Sequence, residues 1–471
     1  MSATTSPTAD RGNPAWLLAA SAVLLLFTCL TLAWDYSQHS VQMDLSAFYA
    51  AGESLRLGLD PYTNNYPAVV TGTDYMRYSG FLYPPLTGLL FKAGAAFSYL
   101  KFKQLWDFSQ ILWVFGTGAV VFAWLRRSGH PSAAVPGVTL FFMAASAAFP
   151  LRLELERGQV DLLLLLLLTG GLLLIEVSGR AFAGGLLLGA APLLKPHALY
   201  LLPFLLLRRR YSAIAGSALS LVVLVGVQYA IFPALSKEYI ADVLPRMDGN
   251  AVYAPAEWVK VSPEEWERLS RPAWNQAVER GGHTYLREGF DNRLSVANAS
   301  LARNIFTSAP SLTRVGRSRI SVAVYAILFL IIVAAVRSPA IRWSHQRTLA
   351  FWIMALGVVL MAAPLTWTMA TVWLLPAAAM IPAILADEEL RAERKRLILV
   401  ILVAGVLLTL IDARAIYSEL DRRGPALLLP FVKTGIFFVR LKPVIAEIVV
   451  CAGLGLYVRS RPEGAATERA T

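Results

Sequence analysis

The sequence predicts an all-α polytopic membrane protein of about 11 to 13 transmembrane helices, with interfacial helices on its outer face. Three observations carry that reading. Of the 471 residues, 56% are hydrophobic and only 16% charged, and the mean hydropathy of +0.54 lies well outside soluble globular usage. Apolar runs of spanning length recur near 16–34, 106–125, 134–150, 159–177, 212–232, 319–336, 347–363, 369–386, 396–412 and 443–458. The 43 Lys and Arg, against 31 Asp and Glu, punctuate these runs in short clusters, which is the pattern of topogenic charge rather than of a nucleic-acid surface. One integrated membrane domain over 1–471 follows, with external loops at 35–105 and 233–318.

The first run, 16–34, has a short polar leader with Arg11 and no small-residue cleavage site before Asp35. It reads as a retained transmembrane helix. About ten residues beyond it stands Asp44, opening a polar, aromatic, Pro- and Gly-punctuated stretch from Met43 to Tyr62 and on through Gly80–Leu86. That stretch is too irregular to cross lipid, so a carboxylate here is a candidate for chemistry. The competing reading is structural: Asp44 as N-cap of a helix from about Leu45 to Leu57, ended by Gly58. Residues 82–99, with Pro84, Pro85 and Lys92, suit an interfacial or re-entrant segment.

Charge placement orders the rest. Arg126–Arg127, Arg180, Arg208–Arg210, the loop with Arg337, Arg342 and Arg347, the cluster at 391–396 and the tail with Arg459 and Arg461 all become cytoplasmic together on two conditions. Residues 82–99 must not span, and the apolar run 181–207, broken by Lys195–Pro196, must be a hairpin with Lys195 at its far tip. Its arms of about 12 to 14 residues are short for a bilayer that needs about 20, and are tolerated where protein or a water-filled cavity covers the tip. The loop with Asp44, the turn Leu155–Asp161, the tip Lys195–His197, the loop 233–318 and the turn Ala363–Trp367 then share the non-cytoplasmic side. Within 233–318, Pro263, Glu264 and Glu265 suit a helix start and Gly281–Gly282 its end.

Each candidate motif has a structural alternative. A Lys195 ammonium in an apolar hairpin calls for an anionic partner, or else snorkels to the headgroups. Arg152, Glu154, Glu156, Arg157, Gln159 and Asp161 read by default as a charged turn whose acids and bases pair among themselves. Trp367 reads by default as a belt aromatic. Cys29 and Cys451 both lie in apolar segments, and no Gly-rich phosphate loop, Ser-His-Asp set or paired carboxylate appears in the outer loops.

Taken in order, Asp44 and Tyr49, Gly58–Tyr62 (G-x-D-P-Y), Tyr83–Leu86 (YPPL), Arg157–Asp161 (RGQVD), Ala183–Pro196 (AGGLLLGAAPLLKP), Asn298–Arg303 (NASL-x-R) and Pro364–Trp367 (PLTW) resemble the motifs of GT-C type membrane glycosyltransferases. Among these the chain is similar to the bacterial polyprenol-phosphate-mannose-dependent alpha-mannosyltransferases, over about residues 40 to 380. It departs where members often carry histidine after the last motif, having Thr368, Met369 and Ala370, and Ala363 before it. The resemblance implies transfer of a hexose from a polyprenyl-phosphate sugar to a lipid or glycan hydroxyl on the outer face of the bacterial plasma membrane. An inverting single displacement needs one base and cations for the departing phosphate. Asp44 is expected as the base, and Lys195, Arg157 and Arg303 as the phosphate site. Lys195 is expected beside that phosphate rather than beside a structural carboxylate. Tyr49, Asp60, Tyr62, Tyr83, Gln159, His197, Asn298 and Trp367 are expected around the sugar and acceptor. No metal or cofactor is expected, and the partners are the donor, the acceptor and membrane lipid, without nucleic acid. The alternative class is a secondary transporter or a flippase for lipid-linked saccharides, which would carry ionisable residues near the midplane of its spans.

This topology makes residues 233–318 external and both termini cytoplasmic. A cysteine placed at Asn275 is expected to react with an impermeant maleimide in intact cells, whereas labelling only after permeabilisation would overturn the arrangement.

Overall fold

A computed structural model of the chain describes residues 15–39, 42–62, 81–128, 131–244, 259–261, 274–280, 283–288, 300–308, 314–336, 343–363, 366–412 and 429–460. It is a helical membrane protein. Among the described residues seven helices are long and apolar enough to cross a bilayer, or eight if one bent pair counts as a span.

Helix α1 (Ala15–His39) leads to α2 (Met43–Arg56), which packs on α3 (Pro85–Gly94). At ten residues, about 15 Å, α3 is too short to span, so the segment 82–99 stays at the surface of the membrane or within the protein. α4 (Tyr99–Arg126) is a full span, followed by α5 (Ala134–Ala147) and α6 (Phe149–Arg157), which meet at a 59° bend. The bend falls where Ala148 is extended and Pro150 opens the second helix, since proline is accepted in a first turn but cannot continue an existing ladder. α7 (Asp161–Glu176) follows, with α8 (Ala181–Leu194), a 3-10 turn (Pro196–Leu201), α9 (Leu202–Leu207) and α10 (Tyr211–Ile231).

Ion pairs at the two ends of α7 fix the course of this segment. Lys195 meets Asp161 at the first residue of α7, while Arg208 and Arg210 both pair with Glu176 at its last. The sixteen residues of α7 separate those ends by about 24 Å. The chain therefore rises along α8 to Lys195 and returns to Arg208, as the hairpin reading requires. Close packing lets so short an arm hold. A Cβ on Gly185 would fall against the carbonyl of Ala213 in α10, so the two backbones touch there, the small-residue contact that binds helices where no hydrophobic force drives them together.

Helix α11 (Pro233–Glu238) and a π-turn (Tyr239–Val243) enter the long loop, where the structure departs from expectation. Residues 274–280 are not the second half of a helix. They form strand β2 (Trp274–Arg280), which pairs antiparallel with β3 (His283–Glu288), itself paired to β1 (Val259–Val261) in the order β1-β3-β2. Arg280 is opposite His283, and in sequence a Gly-Gly pair between two such runs is a stronger hairpin signal than the helix stop it also resembles. The proposed helix start at 263–265 lies outside the described residues.

The C-terminal part comprises α12 (Leu301–Ser308), α13 (Arg314–Val336), α14 (His345–Ala362), a 3-10 stretch (Thr368–Leu374), α15 (Pro376–Ala386), α16 (Ala392–Leu410) and α17 (Leu429–Arg459). α14 is the axis of the fold, with 94% of its span buried against 17% for α13 at the periphery. Arg347, read in the sequence as one more topogenic charge, is buried at the start of α14 with Asp387 and Glu389 3.9 and 3.6 Å away. Tyr457 of α17 donates to Asp387 (2.9 Å) and to Gln346 (3.1 Å), tying the last helix to the central one.

Replacing Gly185 with Ala drives a methyl into the Ala213 backbone and is expected to cost about 1–3 kcal/mol. A lowered melting temperature of the detergent-solubilised protein would register it, and unchanged melting would mean that α8 and α10 do not touch.

Candidate functional site

Three helix ends meet at the turn after α6. Leu155 and Gly158 close that turn, and three side chains hold its carbonyls. Gln42 donates to Leu155 O (2.7 Å), Trp106 to Gly158 O (3.1 Å) and Gln110 to Gln159 O (3.1 Å). Gln42 is anchored in turn by Asp107 on α4 (2.5 Å). These contacts set the start of α2 against the end of α6, and the turn can only be glycine there. Gly158 has φ +68°, and a Cβ on it would lie 2.6 Å from the Cβ of Leu45.

The result is an ion pair. Arg157 reaches Asp44 with Nε at 2.5 Å from Oδ2 and with an Nη nitrogen at 3.2 Å from Oδ1, a two-pronged contact that fixes both planes. Asp44 is therefore not the helix N-cap. α2 begins at Met43 after Gln42, and Asp44 stands in its first turn with its carboxylate directed at another element. Both side chains are largely buried, with 7% and 18% of their surfaces exposed. The guanidinium carbon of Arg157 also lies 5.7 Å from the ring centre of Trp367, which packs with Phe149, Leu153 and Met369.

Beside this pair lies a second one. Lys195 Nζ is 2.6 Å from Asp161 Oδ2, and Asp161 is fully buried. The expectation that Lys195 would stand apart from any structural carboxylate is thus corrected: a charge at that depth needs a counter-charge in the resting protein as well as in a complex. Glu154, also fully buried, accepts the Leu162 N–H (3.2 Å) and so caps α7 from outside, since Val160 at the N-cap has no side-chain acceptor. The default reading of 152–161 as a self-paired charged turn does not hold for Arg157 or Asp161, while Arg152 keeps Glu156 as an electrostatic neighbour. Arg157 goes to Asp44, Asp161 to Lys195, and Arg152 donates to the Tyr36 hydroxyl (3.1 Å).

Tyr83 bridges the two pairs. Its hydroxyl donates to Gln159 Oε1 at 3.3 Å. Burial, then the charges of Asp44, Asp161 and Glu154, push its phenol well above the ordinary value, with Arg157 opposing. It is accordingly a neutral O–H donor at physiological pH. Asp44, Arg157 and Trp367 are joined by contact, Asp161 pairs with Lys195, and Tyr83, bonded to Gln159, feels the charges of both pairs. His197 adjoins Lys195, its ring 5.4 Å from that of Trp373 and its Nε2 buried without a hydrogen-bond partner.

Other expected site residues are engaged elsewhere. Tyr49 donates to the Phe97 carbonyl (2.8 Å) within an aromatic cluster of Tyr99 and Phe102. Asp60 accepts the Tyr62 N–H (2.8 Å) in a side-chain turn, and Tyr62 donates to the Tyr83 carbonyl (2.8 Å), supporting the loop from behind. Glu53, the other carboxylate of α2, pairs with Arg56. Arg303 lies in α12 with its side chain outside the described residues, and Asn298 lies outside them entirely. Among the described residues no three His, Cys, Asp or Glu side chains converge as metal ligands would. Sequence reasoning missed Gln42 and Asp107. Asp107 was visible as an ionisable residue inside an apolar run, a signal in its own right.

The chain matches the model of glycosyltransferase family 87 over residues 81–366, a match that begins after α2. It is similar to two crystal structures of ArnT from Cupriavidus metallidurans. With the form bound to undecaprenyl phosphate the identity is 14% and the TM-score 0.39, and with the apo form 15% and 0.32, each likeness covering 94% of this chain and 77% of the other. No curated protein matches the chain in sequence.

Gly158→Ala is expected to cost about 1–2 kcal/mol for a left-handed backbone and about 1–3 more for the push against Leu45. Gly179, with φ +69° and open space around its Cβ position, is the control that bears only the first cost. Equal losses of melting temperature in the two alanine variants would show that α2 yields freely.

Proposed function

The chain belongs to glycosyltransferase family 87, and from that premise we propose that it moves a hexose from a polyprenyl-phosphate sugar to a hydroxyl of a lipid or glycan. Mannose is the sugar that the motif resemblance favours. The place of reaction is the outer face of a bacterial plasma membrane. Family membership favours group transfer over the transporter alternative.

The reading rests on one observation: a carboxylate and a guanidinium, those of Asp44 and Arg157, meet in a two-pronged, largely buried pair. A single displacement needs a base for the acceptor and a cation for the leaving group within one sugar's width. In the proposed step Asp44 takes the acceptor's proton, the acceptor oxygen forms a bond to the anomeric carbon from the face opposite the phosphate, and the anomeric carbon–oxygen bond to phosphate breaks. The electron pair leaves on polyprenyl phosphate. Arg157 turns from Asp44 to the phosphate as the donor enters. That exchange raises the basicity of Asp44 only when substrate is present, and it gives the departing anion a planar fork of donors. Lys195, at the tip of its hairpin, adds a second positive charge, with Arg303 as the third member of the set. Tyr83 and Gln159 supply a donor and an acceptor to sugar hydroxyls, Trp367 an apolar face, and His197 a polar edge near Lys195.

The test is a cycle of Asp44→Asn, Arg157→Gln and the double variant, assayed with labelled polyprenyl-phosphate mannose in membranes. Asp44→Asn is expected to lower kcat about 100- to 10,000-fold while donor binding persists. Arg157→Gln is expected to raise the donor KM about 10- to 100-fold, the size of a charge-assisted contact. The double variant should be no more active than Asp44→Asn. Recovery of turnover in the double variant would reduce the pair to a structural bridge and remove Asp44 as the base.

A further inference from the structure

The second of the two buried clusters has one carboxyl too many. Asp161 and Glu154 are both fully buried, while their one cationic neighbour among the described side chains of the cluster is Lys195. Glu154 is bonded through Oε1 to the N–H of Leu162, the residue next to Asp161, so the two carboxyls sit at the same helix end. Each keeps one oxygen with no hydrogen-bond partner: Glu154 Oε2 and Asp161 Oδ1. The Trp373 indole is turned toward Asp161 without closing a bond, and an indole, even if drawn in, would neutralise no charge.

Two carboxylates with one ammonium would leave a net negative charge away from water, and two buried acceptors without donors at the same helix end. A single proton removes both faults, because a protonated carboxyl becomes a donor. We propose that Glu154 is held as the neutral acid, donating its proton to the free oxygen of Asp161, so that Glu154, Asp161 and Lys195 form a cluster of zero net charge beside the Asp44–Arg157 pair. Glu154 is then a positioning residue. It shares Asp161 with Lys195, loosens the hold of Asp161 on the ammonium, and leaves that ammonium able to meet an incoming phosphate. Ionised, it would present a net negative charge to an anionic donor. This role rests on the reading of Lys195 as a partner of the donor phosphate; the shared proton does not.

The charged and titratable groups around Glu154 are Asp161 from α7, Lys195 from the end of α8, the neutral phenol of Tyr83 from the loop before α3, Asp44 from α2 and Arg157 of its own helix. Tyr36 of α1 and Asp412 after α16 face Arg152, on the other side of α6. An acid kept neutral in the folded state and ionised in the unfolded chain stabilises least at high pH. The folded state binds the extra proton, so stability falls as pH rises from the ordinary carboxylate range toward the folded value. Glutamine, neutral and able to donate at the same place, has no such dependence.

The test compares wild type with Glu154→Gln in detergent, by melting temperature from about pH 5 to about pH 8. The wild-type curve should fall more steeply with pH than that of Glu154→Gln, and parallel curves would overturn the proposal. This arm uses no donor, so it stands whatever becomes of the reading of Lys195. In the second arm Glu154→Ala is expected to raise the donor KM about tenfold or more with little change in kcat, and Glu154→Gln to bring KM back to within about threefold of wild type. Glutamine as damaging as alanine would mean that Glu154 acts as an anion and would also sink the proposal. Diverging melting curves with a KM unmoved in both variants would keep the shared proton and remove Lys195 from the donor site.

Discussion

A carboxylate at each end of a sixteen-residue apolar helix is the constraint from which the rest of this molecule is built. Asp161 and Glu176 bracket α7, and neither can be left bare where water is scarce, because the cost of an isolated buried ion is several kcal/mol even after relaxation. Lys195 answers the first; Arg208 and Arg210 answer the second. Since these cations lie 34 and 32 to 34 residues on, satisfying both ends forces the intervening chain out and back within the length of one helix. The hairpin follows from electrostatics, and its close glycine contacts with α10 follow from the hairpin.

The same logic places the other pair. Arg157 ends α6 and Asp44 begins α2, 113 residues apart, and the turn between α6 and α7 is held on three carbonyls by side chains of α4 and of the residue before α2. The site is therefore assembled from helix ends rather than helix middles. That arrangement lets charges be paired, partly hydrated and still close to lipid, which suits a donor with a polar head and a long hydrocarbon tail.

Much of this was legible in the chain itself, for physical reasons that differ from part to part. Spanning segments were visible because hydrocarbon tolerates only apolar runs of fixed length. The tip at Lys195 followed from where basic clusters can reside. Asp44 was visible by contrast with its surroundings. The pairings were not. Nothing local in RGQVD says that Arg157 turns to Asp44 while Asp161 turns to Lys195, and nearest-neighbour pairing was the natural and wrong default. Arg347 misled for the opposite reason, since a loop arginine near a span reads as topogenic whether or not it is buried against Asp387. The strand at 274–280 was misread because Pro263 and two glutamates imitate a helix start and a Gly-Gly pair fits either a stop or a hairpin.

The tie between Tyr457 and the start of α14 bears on how the protein is made. α14 is the most enclosed of the seven candidate spans and the least apolar of them, and its first turn carries Gln346 and Arg347. Its partner Tyr457 is synthesised 111 residues later than Gln346, an interval of about 6–20 s at ordinary rates of translation. Throughout that interval the central helix must reside in the bilayer, or beside the insertion machinery, with polar groups awaiting a helix that does not yet exist. Completion of the core is thus deferred until α17 has left the ribosome, long after the candidate site residues that precede α14.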